Sequence, residues 1–210
     1  MRQELSAPKI LSIRIGATKT IGEFIIGEDL CQFLKRPDRT LEVVVENTQQ
    51  LLHRLDQEEL DFALVEGSFD KSRYAYRCFE AAPFVGMCHR THPFAGRQVQ
   101  CEELADQSVI LREIGSGTRA IFEKSFQECG FALNQIGRVI CVNNFALIVR
   151  MVSENLGISF AYSAVADGHP DITTFKLDGL SEQREFNFVY LKQTHADRLI
   201  DEIFPPVSCG

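Results

Sequence analysis

Apolar positions along the first third of the chain recur every second residue, then at helical spacing, then every second residue again. Ile10 to Ile15 sets Ile, Leu, Ile and Ile around Ser12 and Arg14 and is closed by Gly16, the pattern of a strand followed by a turn. From Thr20 to Leu34, the residues Ile21, Phe24, Ile25, Cys31 and Leu34 fall near one helical face. Leu41 to Val45 predicts a second strand, and Asn47-Thr48 supplies the N-cap of a helix carrying Leu51, Leu52 and Leu55. A third strand, Asp61 to Val65, is closed by Glu66-Gly67. Strands and helices alternating in this order predict a parallel sheet.

The same alternation returns further on. Val109 to Leu111 predicts a strand, and the GSGT loop (Gly115 to Thr118) opens a helix bearing Ile121, Phe122, Phe126 and Cys129. Val139 to Val142 is another strand, Asn143-Asn144 caps a helix with Phe145, Ile148, Val149 and Val152, and Ile158 to Tyr162 is a further strand. Two such halves imply two lobes with a crevice at the carboxyl ends of their strands. Between them, Ala81 to Cys88 lacks the Gly/Ser character of a flexible linker and reads as a strand passing through. Glu185 to Leu191 predicts a last strand, and Ala196, Leu199, Ile200 and Ile203 form an i, i+3, i+4, i+7 stripe. If these two elements return to the first lobe, the chain crosses twice and the lobes can hinge around a ligand.

Composition narrows the class. Of 210 residues, 45% are hydrophobic and 24% charged, which suits a globular chain and excludes disorder for most of its length. No run approaches the roughly 18 apolar residues of a membrane span. The opening MRQELSAPKILSIRIG lacks the uninterrupted apolar core of a secretion signal. A cytoplasmic protein with no membrane partner is expected. Lys and Arg total 22 against 29 Asp and Glu, a net charge of −7, so this chain alone should not hold DNA. The nearest basic cluster is Lys71, Arg73 and Arg77, in a loop-like stretch. The seven cysteines, Cys209 included, show neither C-x-x-C nor zinc-ligand spacing. They read as reduced, mostly buried thiols, with no structural metal and no cofactor expected.

Four helix starts carry small or polar residues just after a strand: Thr18 and Thr20, Asn47 and Thr48, Ser116 and Thr118, Asn143 and Asn144. Helix N-termini offer free N–H groups and a partial positive charge, so their convergence favours an anion or carboxylate. Taken singly, each reads more readily as a plain N-cap, and it is the convergence of four that points to a site. Arg112 could clamp such an anion or pair with Glu113 or Glu102. Enzyme signatures are poor. None of the five histidines has a metal or nucleophile spacing, His53 reads as an exposed helix residue, and His92 sits before Pro93 in a turn. GSG lacks the phosphate-loop pattern, and no Ser occupies a G-x-S-x-G elbow.

The segments IGATKTIGEFII, VENTQQLLHRL, DFALVEG, THPFAGR, EELADQSVILREIGSGTR and NFALIVRMVSENLGISFAYSAVA resemble the effector-binding domain of LysR-type transcriptional regulators in order and spacing, over about residues 11 to 205. REIGSGTR and NNFALIVRMVSENLGISF are most similar to the branch regulating sulfur metabolism. The resemblance implies an α/β, type 2 periplasmic-binding-protein-like fold, with two Rossmann-like lobes joined by two crossover segments: lobe I, 11–85 plus 186–206, and lobe II, 86–185. It implies a small-molecule effector in the interlobe cleft. Residues holding it would be Thr18, Thr20, Asn47, Thr48, Glu66, Gly67, Arg112, Gly115, Ser116, Gly117, Thr118, Asn143 and Asn144. It further implies a homodimer or tetramer, and DNA binding only through an N-terminal winged helix-turn-helix that this chain lacks.

Departures from the family pattern are Gly27 where a proline commonly ends the first helix, and Glu46, Glu59 and Asn155 where glycines are common. Glu46 would place a carboxylate near the pocket mouth, while Asn155 tolerates the left-handed conformation a helix end needs. The GSGT-type loop has no Cys, so the disulfide of the family's peroxide sensors is not expected. Family dimers pair helices matching Thr20–Leu34 and Thr118–Cys129, where Ile26, Phe33 and Phe122 are open to an interface or a core reading. Two rivals share the architecture. One is a free-standing solute-binding protein, which should carry a signal or anchor; the other is a dehydratase- or deaminase-like enzyme, for which Glu66 is the candidate acid or base.

Overall fold

A sixteen-residue strand, β4 (Tyr74–His89), runs through both halves and gathers the nine other strands of the described residues into one sheet by direct or relayed pairing. The computed structural model describes residues 10–180 and 183–205; Cys209 and position 206 of the expected lobe I lie outside them. On one side, β1 (Leu11–Ala17) sits between β2 (Arg39–Val45) and β3 (Phe62–Glu66), parallel to both. On the other, β6 (Ser108–Leu111) sits between β7 (Arg138–Cys141) and β8 (Ile158–Tyr162), again parallel to both. The helices that follow these strands are α1 (Gly27–Leu34), α2 (Thr48–Asp56), α3 (Gly117–Glu128) and α4 (Phe145–Ser153).

β10 (Gln183–Leu191) pairs antiparallel with β3, Phe186 opposite Glu66, and with the first part of β4. The later part of β4 pairs with β8 from Phe84 to Met87. The chain therefore does return to its first half, and α5 (Ala196–Ile203) packs against α1. Two strands escaped the pattern reading: β5 (Gln98–Val99) and β9 (Ile172–Leu177), which pairs with β4. In β9 the buried residues are Ile172, Phe175 and Leu177, so the apolar spacing is three and then two, without clean alternation.

The first helix differs from its expected form. Ile26 N–H bonds Ile21 O at 3.1 Å, closing a π-turn over Ile21–Ile25 before α1 begins. One extra residue in a turn rotates everything downstream by roughly a quarter of a turn or more. Ile26 and Phe33 consequently point into the core, whereas Cys31 and Leu34, expected there, are exposed. Gly27 continues the helix instead of ending it. Phe122 is fully buried, stacked on Phe160 at 4.2 Å and Phe126 at 5.4 Å. The core reading therefore wins for Ile26, Phe33 and Phe122.

Other expectations are corrected by local geometry. Of the six described cysteines, all free, Cys31, Cys78 and Cys141 are exposed, Cys88 and Cys101 are buried, and Cys129 lies between. Arg77 lies within β4 and pairs with Asp201 at 2.8 Å, while Arg73 pairs with Asp56 at 2.8 Å, so that basic trio is largely neutralised. Asn155 adopts φ 55° as expected, and Glu58, after the second helix, is also left-handed, at φ 56°.

Gly86 marks the tightest packing in the second half. A Cβ there would lie 2.2–2.5 Å from three atoms of the Phe175 ring, itself wedged against Phe160 and Phe94. Gly86→Ala is expected to destabilise the fold by about 2–3 kcal/mol, the cost of forced overpacking. Urea unfolding checks this; an unchanged midpoint would mean the ring can swing aside.

Candidate functional site

Every position of β3 is buried, and the strand ends in an acid. Glu66 is 3% exposed. Thr118 Oγ1, in the first turn of α3, donates to Glu66 Oε1 at 3.1 Å, and Thr48 Oγ1, opening α2, donates to Glu66 O at 3.1 Å. Thr20 lies beside the same carboxyl, although its Oγ1 meets no partner at full hydrogen-bond geometry. Glu66 Oε2 and Thr18 Oγ1 are likewise buried and unpartnered. Burial pushes the Glu66 carboxyl up to about 7, against the opposing pull of the Thr20 and Thr118 hydroxyls and the Arg112 charge.

Glycine lets the two halves meet here. A Cβ on Gly117 would come within 3.2 Å of Glu66 Cγ, and Gly67, at φ +86°, faces Gly117 Cα. Gly115, at φ +91°, turns the GSGT loop toward that contact. Arg112, 4% exposed, donates through Nε and Nη2 to the Glu113 carboxylate at 2.8 and 2.9 Å and stacks 4.4 Å from the Phe145 ring centre. The expected pairing with Glu113 therefore forms, but in a buried setting. Lys19 reaches across from the β1 loop, donating to Asn143 O at 2.6 Å with Glu113 Oε1 at 3.8 Å. Glu46 does stand at the mouth, yet Arg54 grips both its oxygens at 2.9 Å and holds its carboxyl below the usual range.

The structure thus gathers Thr18, Thr20, Thr48, Glu66, Gly67, Arg112, Gly115, Ser116, Gly117 and Thr118 around one cleft. Three expected side chains are not available there. Asn47 Oδ1 accepts from Gln50 N and Asn144 Oδ1 from Leu147 N, both at 2.9 Å, so these two are plain caps. Asn143 is exposed and supplies its backbone oxygen to Lys19. At α3 the cap position is Ser116, and no side chain caps that terminus.

The Glu66–Gly117 contact divides the cleft. Toward Thr18 and Arg112 only about 10 Å³ remains open, whereas toward Lys71, Lys124, Arg184 and Asn187 a groove of about 830 Å³ opens. A separate depression beside α2, lined by Glu46, His53 and Arg54, holds charges already paired with one another. Lys19, Tyr162, Arg184 and Asn187 were missed from sequence. Asn187 had a visible signal, a lone amide inside the apolar run FNFVYL. Among the described residues, no three His, Cys, Asp or Glu are placed to hold a metal, and no helix is long and apolar enough to cross a membrane.

The CcmR regulatory domain of Synechocystis PCC6803, solved with 2-PG, superposes with a TM-score of 0.80 at 23% identity, covering 92% of this chain and 95% of that one. The QuiR effector-binding domain, solved with shikimate, gives 0.76 at 19% identity, covering 93% and 96%. The fold is type 2 periplasmic-binding-protein-like. Among curated relatives, the HTH-type transcriptional regulator CysL of Bacillus subtilis (strain 168) is 24% identical over 85% of this chain and 60% of its own length. The HTH-type transcriptional activator CmpR of Synechocystis is 27% identical over 90% and 64%. Identity does not set the CysL branch apart from the others. The chain spans about three fifths of the length of these relatives, which are named as transcriptional regulators and not enzymes. The family model of the LysR substrate binding domain matches residues 10–204, nearly the whole described structure, and the chain belongs to that family.

Proposed function

We propose that this chain is the effector-sensing part of a LysR-type transcriptional regulator, acting in the cytoplasm. Lobe I (11–85 with 186–206) and lobe II (86–185) close on a small molecule, and the change in closure reaches DNA through the winged helix-turn-helix of the full-length protein. The observation that carries this reading is the convergence of the Thr18 and Thr20 hydroxyls, unpartnered and buried, on the cleft where the Gly117 loop meets the end of β3. Buried polar groups without partners are costly, so a site that collects them at the junction of two halves suits a ligand that satisfies them. The uncapped α3 N-terminus favours an acid group on that ligand. Closure can be shifted only by as much as the ligand prefers one state over the other.

A homodimer through the helices of residues 20–34 and 118–129 belongs to the same proposal. With Ile26, Phe33 and Phe122 in the core, exposed Leu34 and Cys31 are left to face a partner. A strict monomer in sedimentation at high concentration would count against it.

Thermal-shift screening tests the site, with sulfate, sulfite, thiosulfate, O-acetylserine, shikimate, 2-PG and aromatic carboxylates as probes. A ligand at 100 times its Kd adds about 2.7 kcal/mol, a rise of roughly 5–10 °C for a chain of this size. Of Thr18→Ala and Thr118→Val, at least one is then expected to weaken that ligand about tenfold or more, the loss of one hydrogen bond to a charged group. Unchanged affinity in both would move the site elsewhere.

A further inference from the structure

Three polar groups with buried, unpartnered atoms collect on one face of the sheet where β3 and β10 pair beside β8: Glu66 Oε2, the Tyr162 hydroxyl and Arg184 Nε, while Asn187 Oδ1, across from Val65, is buried on the other face. Glu66 and Asn187 are 3% and 4% exposed, and both line the 830 Å³ groove with Arg184. Tyr162 lies beneath, close enough to Glu66 and Arg184 to feel both charges. We propose that the groove takes a small amino acid or a close analogue, its ammonium held by Glu66 Oε2 and its acid group by Arg184 and the uncapped N-terminus of α3. This rests on the effector-binding reading and names the ligand's chemical class.

Charge pairing around Glu66 carries the argument. An acid group alone would meet a carboxylate at the centre of the cleft. The nearby cations are already committed: Arg112 to Glu113 and the Phe145 face, Lys19 to Asn143 O and Glu113. Both bases are thus engaged by one acid, Glu113, and the acid left with an unpartnered oxygen is Glu66. An ammonium satisfies that oxygen and supplies the missing positive charge in a buried site, where charge-assisted hydrogen bonds are strong. At the other end, Ser116 makes no cap bond, so the first-turn N–H groups of α3 remain available to a carboxylate. Arg184 adds a cation there, held loosely by Ser125 Oγ at 3.5 Å.

This class of ligand has its own pH signature. The groups facing Glu66 are Thr20 after β1, Thr48 on α2, Arg112 after β6, Thr118 on α3 and Tyr162 at the end of β8. The two threonine hydroxyls facing the carboxyl and the Tyr162 phenol stay neutral, and Arg112 stays charged, near neutral pH. Glu66 itself, at about 7, is then the group that changes state. An ammonium needs it ionised, so binding should strengthen as pH rises through about 7. A simple anion needs it protonated and should bind better as pH falls.

The test titrates the purified chain with amino acids and their 2-hydroxy counterparts: glycine against glycolate, alanine against lactate, serine against glycerate, aspartate against malate. Calorimetry or thermal shift is run from about pH 6 to 8, spanning the Glu66 titration. At least one amino acid is expected to bind about tenfold or more tightly than its hydroxy counterpart, and more tightly at the upper pH. Glu66→Gln should remove that preference, and Glu66→Asp, which keeps the charge, should restore part of it. The proposal is overturned if hydroxy acids bind as well, if affinity rises toward pH 6, or if Glu66→Gln leaves the preference intact. It is also overturned if no amino acid binds while an anion of the wider screen does, a result that leaves the effector-binding reading standing. Silence across both sets removes both.

Discussion

Phe122→Ala should cost about 3–5 kcal/mol of folding stability, a large share of the 5–15 kcal/mol that holds a domain together. Phe122 is fully buried on α3 and lies flat on Phe160 of β8, with ring planes 18° apart. Phe126 stacks on its other flank and passes the contact on to Phe131 at 5.3 Å. Truncation would leave a cavity walled by Phe160 and Phe126, each braced from behind by a further ring, Phe175 and Phe131, so the site cannot collapse cheaply, and the loss belongs at the upper end of the range. Equilibrium urea unfolding measures it, with Lys124→Ala on the exposed face of the same helix as a control within about 0.5 kcal/mol. Dilution gives the second readout. A core residue lowers the midpoint equally at all protein concentrations, whereas an interface residue would lose its effect on dilution. A concentration-dependent loss would return Phe122 to the interface reading.

That contrast shows where pattern reading succeeds and where it stops. Strand–helix alternation, the strand character of Ala81 to Cys88, and FNFVYL with the stripe behind it were enough to anticipate both parallel halves and a returning strand, because burial imposes those periods directly. The π-turn was not legible. Its extra residue leaves the composition of Thr20 to Leu34 helical while exchanging which side chains are buried, so Phe33 and Leu34 swap roles. β9 was lost because its buried positions do not alternate. At the cleft, most backbone positions were found, since loops after parallel strands must share one side of the sheet. Side-chain roles were harder to see. Asn47, Asn144, Thr18 and Thr20 all look like caps in sequence, and only geometry shows that the two asparagines are spent on backbone N–H groups while the two threonines are not. Arg184 and Asn187 lie more than 115 positions from Glu66, beyond any local pattern.

Glu66 makes the stability of the free protein fall as pH rises, the reverse of an ordinary salt-bridged carboxylate. Its carboxyl titrates at about 7 in the folded chain against 4.5 in the unfolded one, so between those values the folded state holds a proton that the unfolded state has released. Stability from this group is fully present below about pH 4.5, declines through the interval and is gone above about pH 7. At 1.36 kcal/mol per unit the whole span is worth up to about 3 kcal/mol, undiminished by solvent because the group is buried. Burial of His92 lowers its pKa and works in the opposite sense, while the raised carboxyls of Asp29 and Glu80 work in the same sense. Subtracting Glu66→Gln from the parent chain removes these shared contributions. Glutamine keeps the acceptor for Thr118 and can donate to Thr20 Oγ1, so it imitates the protonated acid at every pH. Unfolding free energies at a series of pH values should therefore coincide for the two proteins near pH 4.5. By about pH 8 the variant should be more stable by about 1–3 kcal/mol. A difference that stays constant across the series would mean that Glu66 is ionised throughout, and that the cleft stabilises its charge by contacts other than those of Thr118 and Arg112.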